Sequence, residues 1–562
     1  MGTLQTLDYV SLGLYMLIMA GVGAFFGWFI KDIKGYFKGG NTIPWVIGGI
    51  SNFMGLFSTF VFVAYAGIAY ESGLVGVTVM WSTIIPSIFG AMFLAIRWRR
   101  SGIITPVEYL EKRFNSAVRQ LFSWIGLGMR FLDNMVRLYA IGIFIMTATP
   151  LGFTEAILIS GLIITLFTVV GGVWSVVVLD TLQFVILSFA TIILVPLSLD
   201  AAGGLGNLME KYPAHFDWFN GPKGQPLWLM AYYVMIVLKY NGNWVIIQRF
   251  YSVKDEKSAQ KLGWFSALLF LIFPLFFLIP AIAANEIFPN LADPEQSYVA
   301  VSVKLLPAGL MGLMLAAMFS ATMSSLNSEY NVMSGVLTND IYRRLISQNK
   351  SEHHYVTVAR LNIILVGMII MVGAFFVGQL GGAFEANKIL TGLFAIPIAI
   401  PLIFGLLFKK PKPIGAVLTV IFGCLSGLIL NAVPAISWEV ATLIEILICA
   451  MVFLLSGFVK IDNPNYQESV TSFFTKIETP LLKSQIPNID PGFKAALSKL
   501  FALALGLSGI LFMGMGSISL GQFSGNIAVI AGVICLIMGI IIYWTGTRIV
   551  KPEIPKREEV EV

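Results

Sequence analysis

Ser51-Asn52-Phe53-Met54-Gly55-Leu56-Phe57-Ser58-Thr59 and Lys239-Tyr240-Asn241-Gly242-Asn243 each interrupt a long apolar run with glycine and small polar residues. A helix that crosses a bilayer needs about 20 apolar residues, and both runs are that long. Backbone that leaves the helix at membrane depth loses its internal hydrogen bonds, so unwinding is tolerated only where it lines a cavity, meets an ion or is buried in protein. The interruptions lie five spans apart, which turns them opposite ways across the membrane. Paired interruptions at matching places of two inverted five-helix halves point to a binding site of the secondary-transporter type. Close helix packing through glycine would account for either one alone.

The rest of the chain is consistent with a bilayer as its solvent. Of 562 residues, 57% are apolar and 12% charged, about half the charged share of a soluble domain, and the mean hydropathy is +0.84. Such a chain cannot cover a large soluble core with a polar skin. This excludes a cytosolic enzyme, a disulfide scaffold and a disordered hub, and argues against nucleic-acid binding. Cys424, Cys449 and Cys535 each sit in an apolar run and form no metal or disulfide pattern. Fifteen spans are expected, from Leu7–Ile30 to Ile527–Tyr543. They include the interrupted Ile43–Tyr70 and Leu227–Ile247, the pair Ala156–Val170 and Trp174–Leu197 split at Gly171-Gly172, and a ninth span, Val299–Ser328. The first run is a full span and not a cleavable leader. With the N-terminus outside, most of the 36 Lys and Arg residues fall on inner loops, and only Lys211 and Lys223 on outer ones, so the C-terminus is inside.

Ionisable groups at membrane depth are functional candidates by default. Arg130, Arg137, Lys239 and Lys388 are the deep cations, and Asp180 is a deep acid in the sixth span, either a cation ligand or gate or a structural cap. Burying a bare charge is costly, so each cation needs an anion. Asp133 lies at i−4 from Arg137 and Glu385 at i−3 from Lys388, pairings that would make those cations structural; Lys239 has no acid close in sequence, and Arg130 reads as structural. In the ninth span Ala317, Ser320, Ala321 and Ser324 share one helical face. Their oxygens suit a hard cation, although a serine-rich helix contact fits equally well. Glu445, in the thirteenth span, reads as a helix-pairing acid.

Several segments resemble the sodium/solute symporter family, relatives of the sodium–glucose cotransporters. They are Gly35 to Gly40 followed by Ile43-Pro44-Trp45, Ile104 to Phe114, Gly171-Gly172 with Asp180, Ile247-Gln248-Arg249, and Leu326-Asn327-Ser328 leading to Asn339-Asp340-Ile341-Tyr342. The resemblance implies an all-α LeuT-type 5+5 inverted-repeat core over residues 41–412. An extra N-terminal helix and basic loop occupy 1–40, and about four further helices with a cytoplasmic linker and tail occupy 413–562. It further implies a sodium ion held by carbonyls of Met54, Phe57 and Ala317 and the hydroxyl of Ser320. Ala321 stands where many members carry a second hydroxyl. A second cation site at Asp180 and Ser324 would be incomplete, because Met323 replaces an expected serine, so one sodium per cycle is favoured.

Substrate contacts are expected from Lys239, Lys388, Arg137, Phe53, Ser58, Trp81, Tyr240 and Asn243, with Tyr240 as the inner gate. Arg137 matches an arginine that a sialic acid transporter uses on its substrate's carboxylate. Three converging cations favour an acidic sugar such as a uronate or sialic acid, with aromatic side chains to stack on the ring. The expected protein is a sodium-coupled importer in the inner (plasma) membrane, a monomer or loose dimer and not an enzyme. A symporter of a neutral sugar, polyol or amino acid is the first rival, and an uncoupled channel or solute sensor the rival of another class. Lys239 could alternatively stand in for a bound cation and make the cycle partly proton-linked.

Overall fold

The computed structural model describes residues 4–27, 37–58, 60–380, 387, 390–460, 463–487 and 491–548. Helices dominate throughout, and the chain divides into two compact units, Met1–Pro487 and Asn488–Val562. The first unit therefore runs on well past residue 412. Arg113 donates to the carbonyls of Gly405, Phe408, Lys409 and Pro411, where the chain turns beyond that point.

In the first unit α1 spans Thr6–Gly27. The first interrupted span is α2 (Trp45–Met54), non-helical backbone over 55–58, a π-helical turn Val61–Tyr65, and α3 (Ala66–Ser72). Then come α4 (Val75–Ser101), α5 (Ser116–Ala148) and α6 (Phe153–Ala201). The second interruption is equally local: α7 (Pro226–Asn241) stops at Gly242, and α8 (Trp244–Ser252) restarts under the Asn243 side chain, which accepts from the backbone N–H groups of Val245 and Ile246. An asparagine at this position satisfies donors that the broken helix leaves orphaned. After α9 (Glu256–Phe277) the chain enters α10 (Leu310–Gly335). Then follow α11 (Glu352–Ala374), α12 (Ile396–Leu407), α13 (Pro413–Ala432), α14 (Trp438–Leu455) and α15 (Pro464–Glu478).

Both breaks lie where the residue pattern places them. Two boundaries differ from expectation. Helical structure is unbroken through Gly171-Gly172, so the fifth and sixth spans join within the 49-residue α6. Thr168 and Asp180, from its two halves, both bond to α10, at Asn327 and Ser324. The ninth span is broken near Pro307, and its main helix, α10, begins at Leu310 and continues beyond Ser328 to Gly335.

Every residue of α10 is buried, which makes it the central post of the unit. Helix α1 holds its start. Asp8 Oδ1 accepts from the N–H groups of Gly309 (2.7 Å) and Gly312 (2.9 Å), satisfying donors at a helix N-terminus and complementing its dipole. The crossing is tight: a Cβ on Gly312 would lie 2.2 Å from the Asp8 carbonyl oxygen.

The second unit is a pair of apolar helices, α16 (Pro491–Ile518) and α17 (Phe523–Arg548). Their backbones approach through glycine, a Cβ on Gly509 reaching the Gly532 carbonyl at 2.7 Å, the small-residue packing expected of membrane helices.

Candidate functional site

Both breaks open onto one cavity of about 100 Å³, lined by Leu56 and Ser58 from the first break, Asn243 from the second, and Arg137, Lys239 and Tyr240 among the polar residues. It is smaller than a typical ligand site of at least roughly 300 Å³. On one side the Tyr65 and Tyr232 hydroxyls meet at 3.0 Å. On the other, Tyr240 Oη accepts from Asn52 Nδ2 (2.9 Å) and Ser87 Oγ (2.8 Å), tying α7 to α2 and α4.

Helix α5 supplies the charge framework. Asp133 accepts from Arg137 Nη2 (3.0 Å) and Asn387 Nδ2 (3.0 Å), and Lys239 Nζ stands 3.7 Å from it. Lys239 also donates to Asn387 Oδ1 (2.9 Å) and Thr391 Oγ1 (2.8 Å). The acid missing near Lys239 in sequence thus arrives from another helix, and the same acid makes the expected i−4 pair with Arg137. Asp133 is one carboxylate between two cations. Arg137 Nη1 reaches the Ser325 hydroxyl (3.0 Å) and the Gly55 carbonyl of the first break (3.5 Å).

Arg130 plays the corresponding part at the second break. Its Nη1 donates to Glu329 Oε1 (3.0 Å) and its Nη2 to the Gly242 carbonyl (3.5 Å), while Asn243 Nδ2 shares the same Glu329 oxygen at 3.3 Å. Glu329 is fully buried and escaped the sequence reading because the ninth span was ended one residue before it. An acid inside an apolar helix, the signal that marks Asp180, would have found it.

Asp180 is likewise fully buried. It accepts from Ser51 and from Ser324 Oγ (2.6 Å), and Arg249 Nη2 lies 3.7 Å away. Arg249 also donates to Ser51 (2.8 Å), Ser328 (2.7 Å) and Gln248 (2.7 Å). The two cation-candidate side chains Asp180 and Ser324 do meet, in a cluster that already contains a guanidinium.

Other expected residues lie elsewhere. Phe53 packs in an aromatic cluster with Phe57, Phe184, Phe270 and Phe273. Trp81 does not line the cavity between the breaks: it stacks on Trp218 at 5.2 Å, beside a separate cavity that both indoles line, and its indole N–H donates to the Leu271 carbonyl. Met54, Phe57, Ala317, Ser320 and Ala321 are all buried, and the Ser320 hydroxyl bonds Tyr15 of α1. The hydroxyl linked to the break is Ser325, through Arg137. Lys388 and its candidate partner Glu385 lie outside the described residues. Glu445 is buried near Gly427, and its Oε1 has no hydrogen-bond partner among the described residues.

The Gly55 carbonyl and Ser325 hydroxyl, one from each side of the junction of the first break with α10, are both engaged by the Arg137 guanidinium. Among the described residues no cluster of three or more His, Cys, Asp or Glu side chains could hold a transition metal.

Comparison with known proteins agrees with this architecture. The model of the sodium:solute symporter family matches residues 36–423. The sodium/glucose cotransporter of Vibrio parahaemolyticus is 27% identical over 84% of this chain and 94% of that protein. The pig (Sus scrofa) sodium/myo-inositol cotransporter 2 is 28% identical over 87% and 82%, and the sodium/sialic acid symporter NanT of Aliivibrio fischeri is 24% identical over 74% and 86%. A solved sodium-coupled sialic acid symporter in an outward-open state superposes with a TM-score of 0.72 at 21% identity, over 81% of this chain and 98% of that one, which establishes the shared LeuT-type fold. These relatives are multi-pass membrane carriers and not enzymes.

Proposed function

We propose, from the premise that the chain belongs to the sodium:solute symporter family, that it imports a small acidic solute, a sugar acid by chemical class, together with sodium across the plasma membrane. The observation that carries the acidic reading is the cavity between the breaks. Arg137 and Lys239 both line it, and they share one carboxylate, Asp133. A carboxylate entering there meets a guanidinium fork and an ammonium with unspent charge.

In this reading sodium supplies the driving gradient and one positive charge at the junction of α2 and α10. The Gly55 carbonyl and Ser325 hydroxyl would hold it, with the neighbouring carbonyls of Met54 and Phe57. Ala317, Ser320 and Ala321, which the family resemblance nominates, stand about one to two turns nearer the start of α10. Tyr240 acts as the inner gate and the Tyr65–Tyr232 pair as the outer one. The Asp180–Arg249 cluster seals the inner path until the helices rearrange. The cavity widens for the solute when either gate opens.

The second reading, a neutral sugar or polyol, is favoured by the satisfied bonding of both cations, which the protein already uses to cross-link α5, α7 and α10. Uptake into proteoliposomes separates the two. With an inward sodium gradient, labelled glucuronate or N-acetylneuraminate accumulates under the first reading, and glucose or myo-inositol alone under the second. Equilibration of all four without sodium would falsify coupled transport.

A further inference from the structure

We propose that Glu445 of α14 is a proton-binding site of the carrier, and that its charge state sets the charge of the solute cavity. The carboxyl is fully buried in a slot between two glycines. A Cβ on Gly427 of α13 would lie 3.4 Å from both carboxyl oxygens, and one on Gly392 would lie 3.7 Å from Oε2. Gly392 belongs to a π-helical turn, Thr391–Ala395, that leads into α12. The residue before it, Thr391, accepts from Lys239 of the cavity at 2.8 Å. One turn of backbone therefore meets the carboxyl at one residue and the cavity lysine at the next.

Among the described residues nothing compensates a negative charge in the slot. Glu445 Oε1 has no hydrogen-bond partner there. The Cys424 thiol of α13 donates to the Leu393 carbonyl (3.1 Å), and the Cys449 thiol of α14 points to the Thr419 carbonyl (3.9 Å). On α7 the hydroxyls of Tyr232, Tyr233 and Tyr240 are engaged with Tyr65, the Thr78 carbonyl, and Asn52 and Ser87, while Lys239 is shared by Asp133, Asn387 and Thr391. The turn and α12 carry no titratable side chain, and Glu439 lies nearly two turns away at the start of α14. A bare carboxylate in such a slot is far costlier than the neutral acid, so Glu445 holds a proton while the slot is closed. Arg137 and Lys239 then stand against the single carboxylate of Asp133, a net +1 at the cavity. Ionised Glu445 would cancel that charge across poorly solvated protein, where Coulomb attraction is weakly damped. The proton therefore favours an acidic solute and the solute favours the proton, because such linkage is reciprocal. This inference rests on the acidic-solute reading above.

Two readouts on the purified full-length protein test it. At pH 7 the infrared spectrum of the wild type is expected to contain a neutral carboxylic-acid C=O stretch that Glu445→Gln lacks. The same neutral-acid band in both proteins means an ionised Glu445, held by a cation outside the described residues such as Lys388, and overturns the inference. In proteoliposomes with an inward sodium gradient, the KM for labelled glucuronate or N-acetylneuraminate is expected to rise at least threefold from pH 6.5 to pH 9, a range over which ordinary carboxylates stay ionised. Glu445→Gln, which imitates the protonated acid, is expected to keep the lower KM at both. An equal rise in that variant overturns the inference. Glu445→Met, apolar and of similar length, serves both comparisons if the amide does not fold. If neither acid accumulates, the acidic-solute reading falls and the infrared comparison alone decides whether Glu445 holds a proton.

Discussion

Arg130 and Arg137 stand seven residues apart on α5, about two helical turns, and each donates to the carbonyl at a different helix break, Gly242 and Gly55. One helix thus supports both unwound segments, and each guanidinium is also paired to an acid, Glu329 and Asp133 respectively. Carbonyls freed by unwinding need donors when water is absent, and two arginines on one face meet that need at both breaks.

The Arg130–Glu329 pair is buried on both sides. Removing one partner of such a pair leaves an uncompensated charge and costs roughly 3–5 kcal/mol. Glu329→Gln and Arg130→Met should each lower the melting temperature in detergent strongly. The double variant should be less destabilised than the sum of the singles, and strict additivity in that cycle would remove the pairing.

Trp81 and Lys239 are both expected solute contacts, and of the two Lys239 lines the cavity between the breaks. Lys239→Ala should raise the KM for the transported solute at least tenfold, through loss of charge and of the Asn387 and Thr391 bonds. Trp81→Ala should leave KM within about twofold, because its ring stacks on Trp218 away from the cavity. Transport kinetics of the two variants side by side check this; similar KM shifts would contradict the placement.

In the proposed outer gate the Tyr65 and Tyr232 hydroxyls bond each other at the wall of the cavity. Tyr65→Phe and Tyr232→Phe should each weaken the closed state by about 0.5–1.5 kcal/mol, the usual net value of such a bond, and the double variant should add almost nothing to either single. Solute exchange rates in proteoliposomes report this directly, and faster exchange confined to one variant would argue against a shared bond.

Helix α1 lies before the ten-helix core, yet it holds the start of α10. Asp8→Ala should cost about 1–2 kcal/mol as a lost helix cap. Gly312→Leu should be worse, since even a Cβ meets the Asp8 backbone. Thermal unfolding measures both; a Gly312→Leu protein as stable as wild type would mean that α1 is not packed there.

Asp180 faces Arg249, Ser51 and Ser324 in one cluster. Asp180→Asn leaves Arg249 buried without its counter-charge, so it should slow transport at least tenfold and lower stability together. Asp180→Glu, which keeps the charge, should recover part of both. Stability retained with transport lost would instead mark Asp180 as an ion ligand.

How much could be read in advance follows from the range of each signal. Gly55 and Gly242 with their polar neighbours announce the breaks because helix interruption is decided within one turn. Asp133 as a partner for Arg137 was visible because i and i+4 share a helix face. Its second role, beside Lys239, was not. Ser320 and Ser325 differ by little more than one turn, and periodicity cannot say which hydroxyl turns toward the break and which toward Tyr15 on α1.

The sequence by itself determined a membrane protein of many apolar helices, two interrupted spans and deep charges needing partners, because hydropathy, helix breaking and burial cost act on neighbouring residues. Only the tertiary structure decided the pairings: Arg130 with Glu329, 199 positions away, Asp180 with Arg249, and Arg137 between a break carbonyl and a serine of α10. The reason is physical. A charged group in a poorly solvated interior takes the partner that helix packing brings within about 3–4 Å, and packing register is a property of the assembled bundle that no local stretch of chain contains.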